Sequence, residues 1–282
     1  MVSSLTLVIW RQFSNGEPSW WPLPVAAVLL TVTALAFWAA PLRPIRSYLI
    51  ILTIFLILGY GGGWQSGLIP IIKGSEPWLS LVGGSSWAIS ALALHLLRLV
   101  IPAAVLSYLL IRGASLRDLF LAWGDPKAPV EPSRLIGMKK PEPWTRIGSI
   151  FAVVFAAGTV TYIILTVHPS LDLLSRVIPL LPVAVAIAAM NSFNEEFTLR
   201  AGPLSQLVPA VGKRQALLLT TAFFGLGHFY GIPSGAVGVV LSGFLGWFLG
   251  KSMLETRGFV WAWLIHFVMD FFIFTSLAMT SL

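Results

Sequence analysis

The sequence predicts an all-α, polytopic integral membrane protein with about eight transmembrane helices. Two observations carry that prediction. Of 282 residues, 57% are hydrophobic and only 10% charged, at a mean hydropathy of +0.86, whereas soluble domains carry about 25% charged residues. The apolar residues also recur in blocks of about 20, the length a helix needs to cross about 30 Å of hydrocarbon.

Taken in order, the blocks place spans near 22–42, 47–69, 87–111, 147–167, 177–197, 214–231, 235–253 and 259–280. "YGGGW" in the second should break that helix or admit a close neighbour. "SGFLGWFLG" in the seventh sets Ser242, Gly246 and Gly250 four apart, a stripe along which helix backbones can touch. The chain divides into N-terminal membrane helices (1–111), a polar loop (112–146) and a C-terminal membrane region (147–282). The loop contains "GDPKAPVEPSR" and "KKPEPW", whose prolines argue for an irregular linker.

Loop charge predicts orientation. With the 112–146 loop in the cytoplasm, that side receives Arg43, Arg46, Arg112, Arg117, Lys127, Arg134, Lys139, Lys140, Arg146, Arg200, Lys213, Arg214, Lys251 and Arg257. The other side receives Arg11, Lys73 and Arg176. The positive-inside rule then places both termini outside the cytoplasm. The expected location is the plasma membrane of a prokaryote, with no cleaved signal peptide. The net charge of +7 is spread between apolar blocks, which reads as topology rather than as a nucleic-acid surface. No cysteine is present, which removes disulfides, thiolate ligands and cysteine nucleophiles.

Seven ionisable residues stand at membrane depth: His95, Arg98, Glu195, Glu196, His228, His266 and Asp270. Each is costly in hydrocarbon and is a functional hypothesis by default. If the fifth span stays helical, Glu196 and Arg200 share a face and can pair. Glu195 then points about 100° away, finds no local partner and looks to another helix. His266 and Asp270 lie four apart on one face. His228 ends an apolar run flanked by glycines. His95 and Arg98 read as structural.

Three stretches resemble the motifs of a known family. "EEFTLR" is similar to Glu-Glu-x-x-x-Arg, "FGLGH" to Phe-x-x-x-His, and "HFVMD" to His-x-x-x-Asn or Asp. These mark the CAAX protease and bacteriocin-processing (CPBP) family of intramembrane proteases, which includes the Ras-converting type II CAAX endopeptidase. The resemblance spans roughly 145–282. It implies that Glu195 activates water and that Glu196 and Arg200 support it. His228 would help hold water or metal, and His266 and Asp270 would bind the oxyanion or complete a metal site. Family members often have Arg-Gly where this chain has Arg200-Ala201, and Ras-converting members have Asn in place of Asp270.

Glu195, His228 and His266 also make a three-ligand zinc set with one position open for water. A metal-free glutamate mechanism fits the same residues. No His-Glu-x-x-His, Gly-x-Ser-Gly or Gly-x-Gly-Asp motif occurs, which excludes the site-2, serine and aspartyl types. The expected partner is a peptide or lipidated protein substrate in the membrane. A membrane scaffold or immunity protein holding a partner helix, and a small proton-coupled transporter, are the alternatives. At 1.5 Å per residue, Glu195 falls about 7 Å, His266 about 14 Å and His228 about 21 Å from the cytoplasmic ends of their spans. Convergence therefore needs the sixth helix to start late or tilt strongly, or the fifth to end beneath the surface, and "AGPLSQLVPAVGKR" is expected to form a partly embedded connection that lowers that end.

Overall fold

The computed structural model describes residues 2–13, 22–59, 67–231 and 233–282; "YGGGW" lies outside them. The chain is helical almost throughout. The first helices are α1 (Val2–Phe13), α2 (Pro22–Trp38), α3 (Arg46–Leu58), α4 (Leu68–Lys73), α5 (Glu76–Val82), α6 (Trp87–Arg98) and α7 (Val100–Ile111). After two short strands, β1 (Pro129–Val130) and β2 (Glu142–Pro143), come α8 (Trp144–Val167), α9 (Leu171–Val177) and α10 (Leu181–Glu196). The chain ends with α11 (Gly202–Val211), α12 (Lys213–Gly227), α13 (Gly235–Thr256) and α14 (Val260–Met279).

Six helical stretches among the described residues are long and apolar enough to cross a membrane: Ala40–Leu58, Trp87–Ile111, Trp144–Val167, Leu171–Val211, Gly235–Thr256 and Val260–Met279. This is an all-α integral membrane protein, but the count of eight is not confirmed among the described residues. The helices read near 22–42 and 214–231 exist but are short, with 17 residues in α2 and 15 in α12. Fifteen residues rise only about 22 Å, and α12 opens on Lys213, Arg214 and Gln215. The fifth span, read as 177–197, is also longer than expected. Helix runs on from α10 through a π-helical turn at Phe197–Ala201 into α11. "AGPLSQLVPAVGKR" is therefore mostly helix, with Gly202, Pro203, Leu204 and Leu207 buried. Arg200 and Lys251, counted above as loop residues, are buried. Depths measured from a loop at Arg200 accordingly do not apply.

Two compact units partition the chain. The first comprises Met1–Ser75, Ile101–Ala114 and Thr198–Lys251. Here Gly225 and Gly243 let α12 and α13 approach closely, since a Cβ on Gly225 would stand 3.1 Å from Gly243 Cα. Gly246 and Gly250, read as places where backbones touch, instead make room for side chains. A Cβ on Gly246 would meet Phe224 at 3.1 Å and Arg200 at 3.3 Å, and one on Gly250 would meet Leu217 at 2.6 Å.

The second unit comprises Glu76–Val100, Ser115–Phe197 and Ser252–Leu282. Its centre is α10, packed between α14 and α6. Ala184 and Ala188, with Ile187, make the apolar part of the inward stripe of α10 and meet Phe274 of α14. Small residues at four-residue spacing allow that close approach. Trp87, Ala91 and Leu92 of α6 pack against the same cluster. The polar 112–146 segment is docked rather than a free linker. β1 pairs antiparallel with β2, Trp144 Nε1 donates to Glu255 at 2.9 Å, and Trp261 Nε1 donates to the Pro126 carbonyl at 3.1 Å.

Candidate active site

The stripes that build the second unit's core turn polar one after another. On α10 the inward positions run Ala184, Ala188, Asn191, Glu195; on α14 they run Ala278, Phe274, Asp270, His266. Steps of three and four residues keep each set on one face, and the two helices bring their polar ends together. Continuing the apolar stripe would have been cheaper by several kcal/mol per charge, so this polar end needs mutual satisfaction.

It has it. His266 Nδ1 lies 2.7 Å from Glu196 Oε1, with the Glu196 carboxylate fully buried and His266 nearly so. That bond fixes the ring and turns Nε2 toward the other carboxylates. Nε2 stands 3.8 Å from Glu195 Oε2 and 3.6 Å from Asp270 Oδ1. Both gaps exceed direct hydrogen bonding and suit a bridging water. Asn191 Nδ2 donates to Glu195 Oε1 at 3.2 Å and to Asp270 Oδ2 at 3.0 Å, tying the two carboxylates into one frame. Arg98 closes the network from α6, donating Nη1 to Asn191 Oδ1 at 3.3 Å and standing 3.9 Å from Glu195 through Nη2.

The adjacent glutamates therefore have different surroundings. Glu196 is sealed against His266, while Glu195 keeps 14% of its side chain exposed. Glu195 does have a partner on its own helix, contrary to expectation: Asn191 sits one turn earlier. Asn191 and Arg98 were missed as site residues, and each left a signal. Asn191 shares the four-residue register of Glu195, and Arg98 is the one basic residue placed inside a span rather than in a loop.

Arg200 and His228 belong to the first unit. Arg200 Nε donates to the Gly246 carbonyl at 3.1 Å, and its guanidinium lies 4.5 Å over the Phe224 ring. His228 Nδ1 bonds the Phe224 carbonyl at 2.8 Å, with the two rings 4.4 Å apart. His95, in the second unit, bonds the Ala91 carbonyl through Nδ1 at 2.7 Å and meets Phe274 edge-on. Among the described residues, no group of three or more His, Cys, Asp or Glu side chains is arranged to hold a metal ion.

Fold and site together define a helical integral membrane protein with a buried carboxylate–imidazole cluster in its C-terminal half. Residues 177–272 match the family model described as Type II CAAX prenyl endopeptidase Rce1-like. All three motifs fall inside that stretch, over which the chain is similar to CAAX-type intramembrane proteases. No curated protein and no solved structure matches the chain.

Proposed function

We propose that the protein is an intramembrane endopeptidase that hydrolyses a peptide bond of a membrane-associated substrate, CAAX-type lipidated peptides being the first class to test. The observation that carries this reading is the pair of carboxylates around one imidazole: Glu196 holds His266 Nδ1 at 2.7 Å, and Glu195 faces Nε2 at 3.8 Å.

In this reading a water molecule sits between Glu195 Oε2 and His266 Nε2. Glu195 takes a proton from it as the hydroxide adds to the scissile carbonyl carbon. The tetrahedral intermediate then collapses, the C–N bond breaks, and the proton held by Glu195 passes to the leaving amine. The products are a carboxylic acid and an amine, and Glu195 is again a carboxylate. Asn191 and Asp270 hold Glu195 and His266 in register, and Glu196 is a positioning residue that fixes the imidazole. For His228 and Arg200 the motif resemblance is the support: His228 would help hold the water, and Arg200 would support the carboxylates.

We propose a metal-free reaction, because Glu195 can take the water's proton and return it to the leaving amine with the groups already present. Metal analysis of purified, active protein tests this, and stoichiometric zinc removable together with activity would overturn it. The orientation proposed has both termini outside the cytoplasm. Setting aside the buried Arg200 and Lys251 still leaves the positive residues strongly biased to one side.

A further inference from the structure

The segment between α7 and α8 has no part in the proposed chemistry, yet it is folded and fastened. Its centre is a hairpin: β1 pairs with β2, and residues 131–141, "EPSRLIGMKKP", form the tip. A tight turn shapes that tip. The Leu135 N–H donates to Ser133 Oγ at 3.3 Å, the Met138 N–H donates to the Ser133 carbonyl at 3.0 Å, and Gly137 has a φ of 68°. One loop thus presents Arg134, Lys139 and Lys140, all exposed, together with Leu135, which is 68% exposed. Among the described residues none of these three cations has an ion-pair partner. The acids nearby are occupied: Asp118 by Ser115 at 2.6 Å, Asp125 by the Lys127 N–H at 2.9 Å and Glu142 by Arg146 at 3.1 Å. Glu131 stands at the base of the loop.

That base is fastened to the end of α13. Glu255 receives both stems, the Glu131 N–H at 3.2 Å on one oxygen and Trp144 Nε1 at 2.9 Å on the other. Earlier in the segment, the backbone of 122–126 lies against the turn between α13 and α14. The Asp125 N–H donates to the Thr256 carbonyl at 2.7 Å, and the Phe259 N–H donates to the Ala122 carbonyl at 3.0 Å. A Cβ on Gly124 would stand 2.6 Å from Gly258 Cα. The turn starts α14, which carries His266 and Asp270, and its Phe259 meets Phe193 of α10 at 5.8 Å.

We propose that the hairpin tip seats on anionic phospholipid headgroups of the leaflet it faces, and so steadies the turn that starts α14. Its placement favours lipid over a soluble acidic protein. β2 runs directly into α8, a helix long and apolar enough to cross a membrane. At ~3.4 Å per residue, Lys139 and Lys140 lie within about 17 Å of Trp144, a distance comparable with the interfacial layer plus one Debye length. Lysines and arginines beside a span are drawn to anionic headgroups, and an exposed leucine among them buries in the same layer. The positive-inside rule accounts for the sign of the charge. It does not account for a shaped loop whose stems are held by the end of α13. Nothing here depends on peptide cleavage, so this seat and the endopeptidase reading fail separately.

The test uses the purified full chain in neutral detergent with a fluorescent phosphatidylglycerol, and phosphatidylcholine of the same chain length as the neutral comparison. The wild type should bind phosphatidylglycerol about tenfold or more tighter at ~0.1 M salt, with the preference shrinking as salt rises. Arg134→Gln, Lys139→Gln and Lys140→Gln together should remove most of that preference. The control triple Arg43→Gln, Lys213→Gln and Arg214→Gln, equal in charge and also exposed, should keep it. In hydrogen exchange, phosphatidylglycerol should protect residues 131–141 and, with them, 256–259. Equal affinity for the two lipids, or equal losses in the two triples, would overturn the seat and leave only general positive charge. Displacement of the lipid by inorganic phosphate alone, or more readily by polyglutamate, would overturn it in favour of a free anion or an acidic protein. Protection confined to 131–141 would overturn the link to α14.

Discussion

His266 and His228 are both imidazoles on apolar helices, yet their nearest bonds differ in kind. His228 ties Nδ1 to the carbonyl of Phe224, four residues back on its own helix, and His95 does the same with Ala91. His266 ties Nδ1 to a carboxylate from another helix and turns Nε2 toward two more. A backbone carbonyl anchors a ring and sets its tautomer, but brings no second ionisable group to it. A buried carboxylate anchors the ring, sets its tautomer and leaves the far nitrogen in the company of groups that accept protons. The difference shows why a histidine inside a span is not by itself a site, and why this one lies in a cluster that fits one.

That contrast can be broken by substitution. His266→Ala should lower the cleavage rate by about 10²-fold or more, within the range for losing a proton-handling or orienting group. His228→Ala should cost less, and equal losses, measured on the same peptide, would erase the distinction drawn here. Glu196→Ala removes the 2.7 Å bond while sparing Glu195. It should reduce kcat about tenfold or more and destabilise the protein by about 1–3 kcal/mol, read as earlier unfolding in detergent.

The first unit supplies a purely structural contrast. Gly246→Ala would press a methyl against Phe224 and Arg200. It should cost about 1–3 kcal/mol, visible as a lowered unfolding temperature, with little change in KM for the protein that remains folded. The smallest effect belongs to the 112–146 segment, outside the spans. The Ser115 hydroxyl and backbone N–H donate to Asp118 and hold its carboxyl below the usual range. Because the folded value is lowered, this turn is held above the ordinary carboxylate range and loosens as pH falls through the lowered value. Asp118→Ala should abolish that acid-dependent rise in hydrogen exchange at Ser115.

Much of the architecture was legible because hydrophobic blocks and helix length are set by the bilayer itself. The two shortfalls have physical causes. The stretch 214–231 mixes a basic start with apolar residues, so a block of the right length conceals a helix of 15. At Arg200 a buried guanidinium looks in sequence like a loop charge, because the Gly246 carbonyl and the Phe224 ring that receive it are far away along the chain. In the site, Glu195, Glu196, His266 and Asp270 could be picked out because charge in a span is rare. Asn191 was hidden because an uncharged amide in a helix attracts no notice, and its three contacts come from two distant helices and its own. Arg98 was visible, but its partner was not.

The measurement that bears most directly on the whole account is cleavage of a lipidated peptide by purified protein in liposomes, wild type beside Glu195→Gln, with products read by mass spectrometry. The side chain keeps its shape and loses the base, so the account predicts a defined cut by the wild type and a rate lower by about 10²–10⁴-fold in the variant. Undiminished cleavage by Glu195→Gln would contradict it.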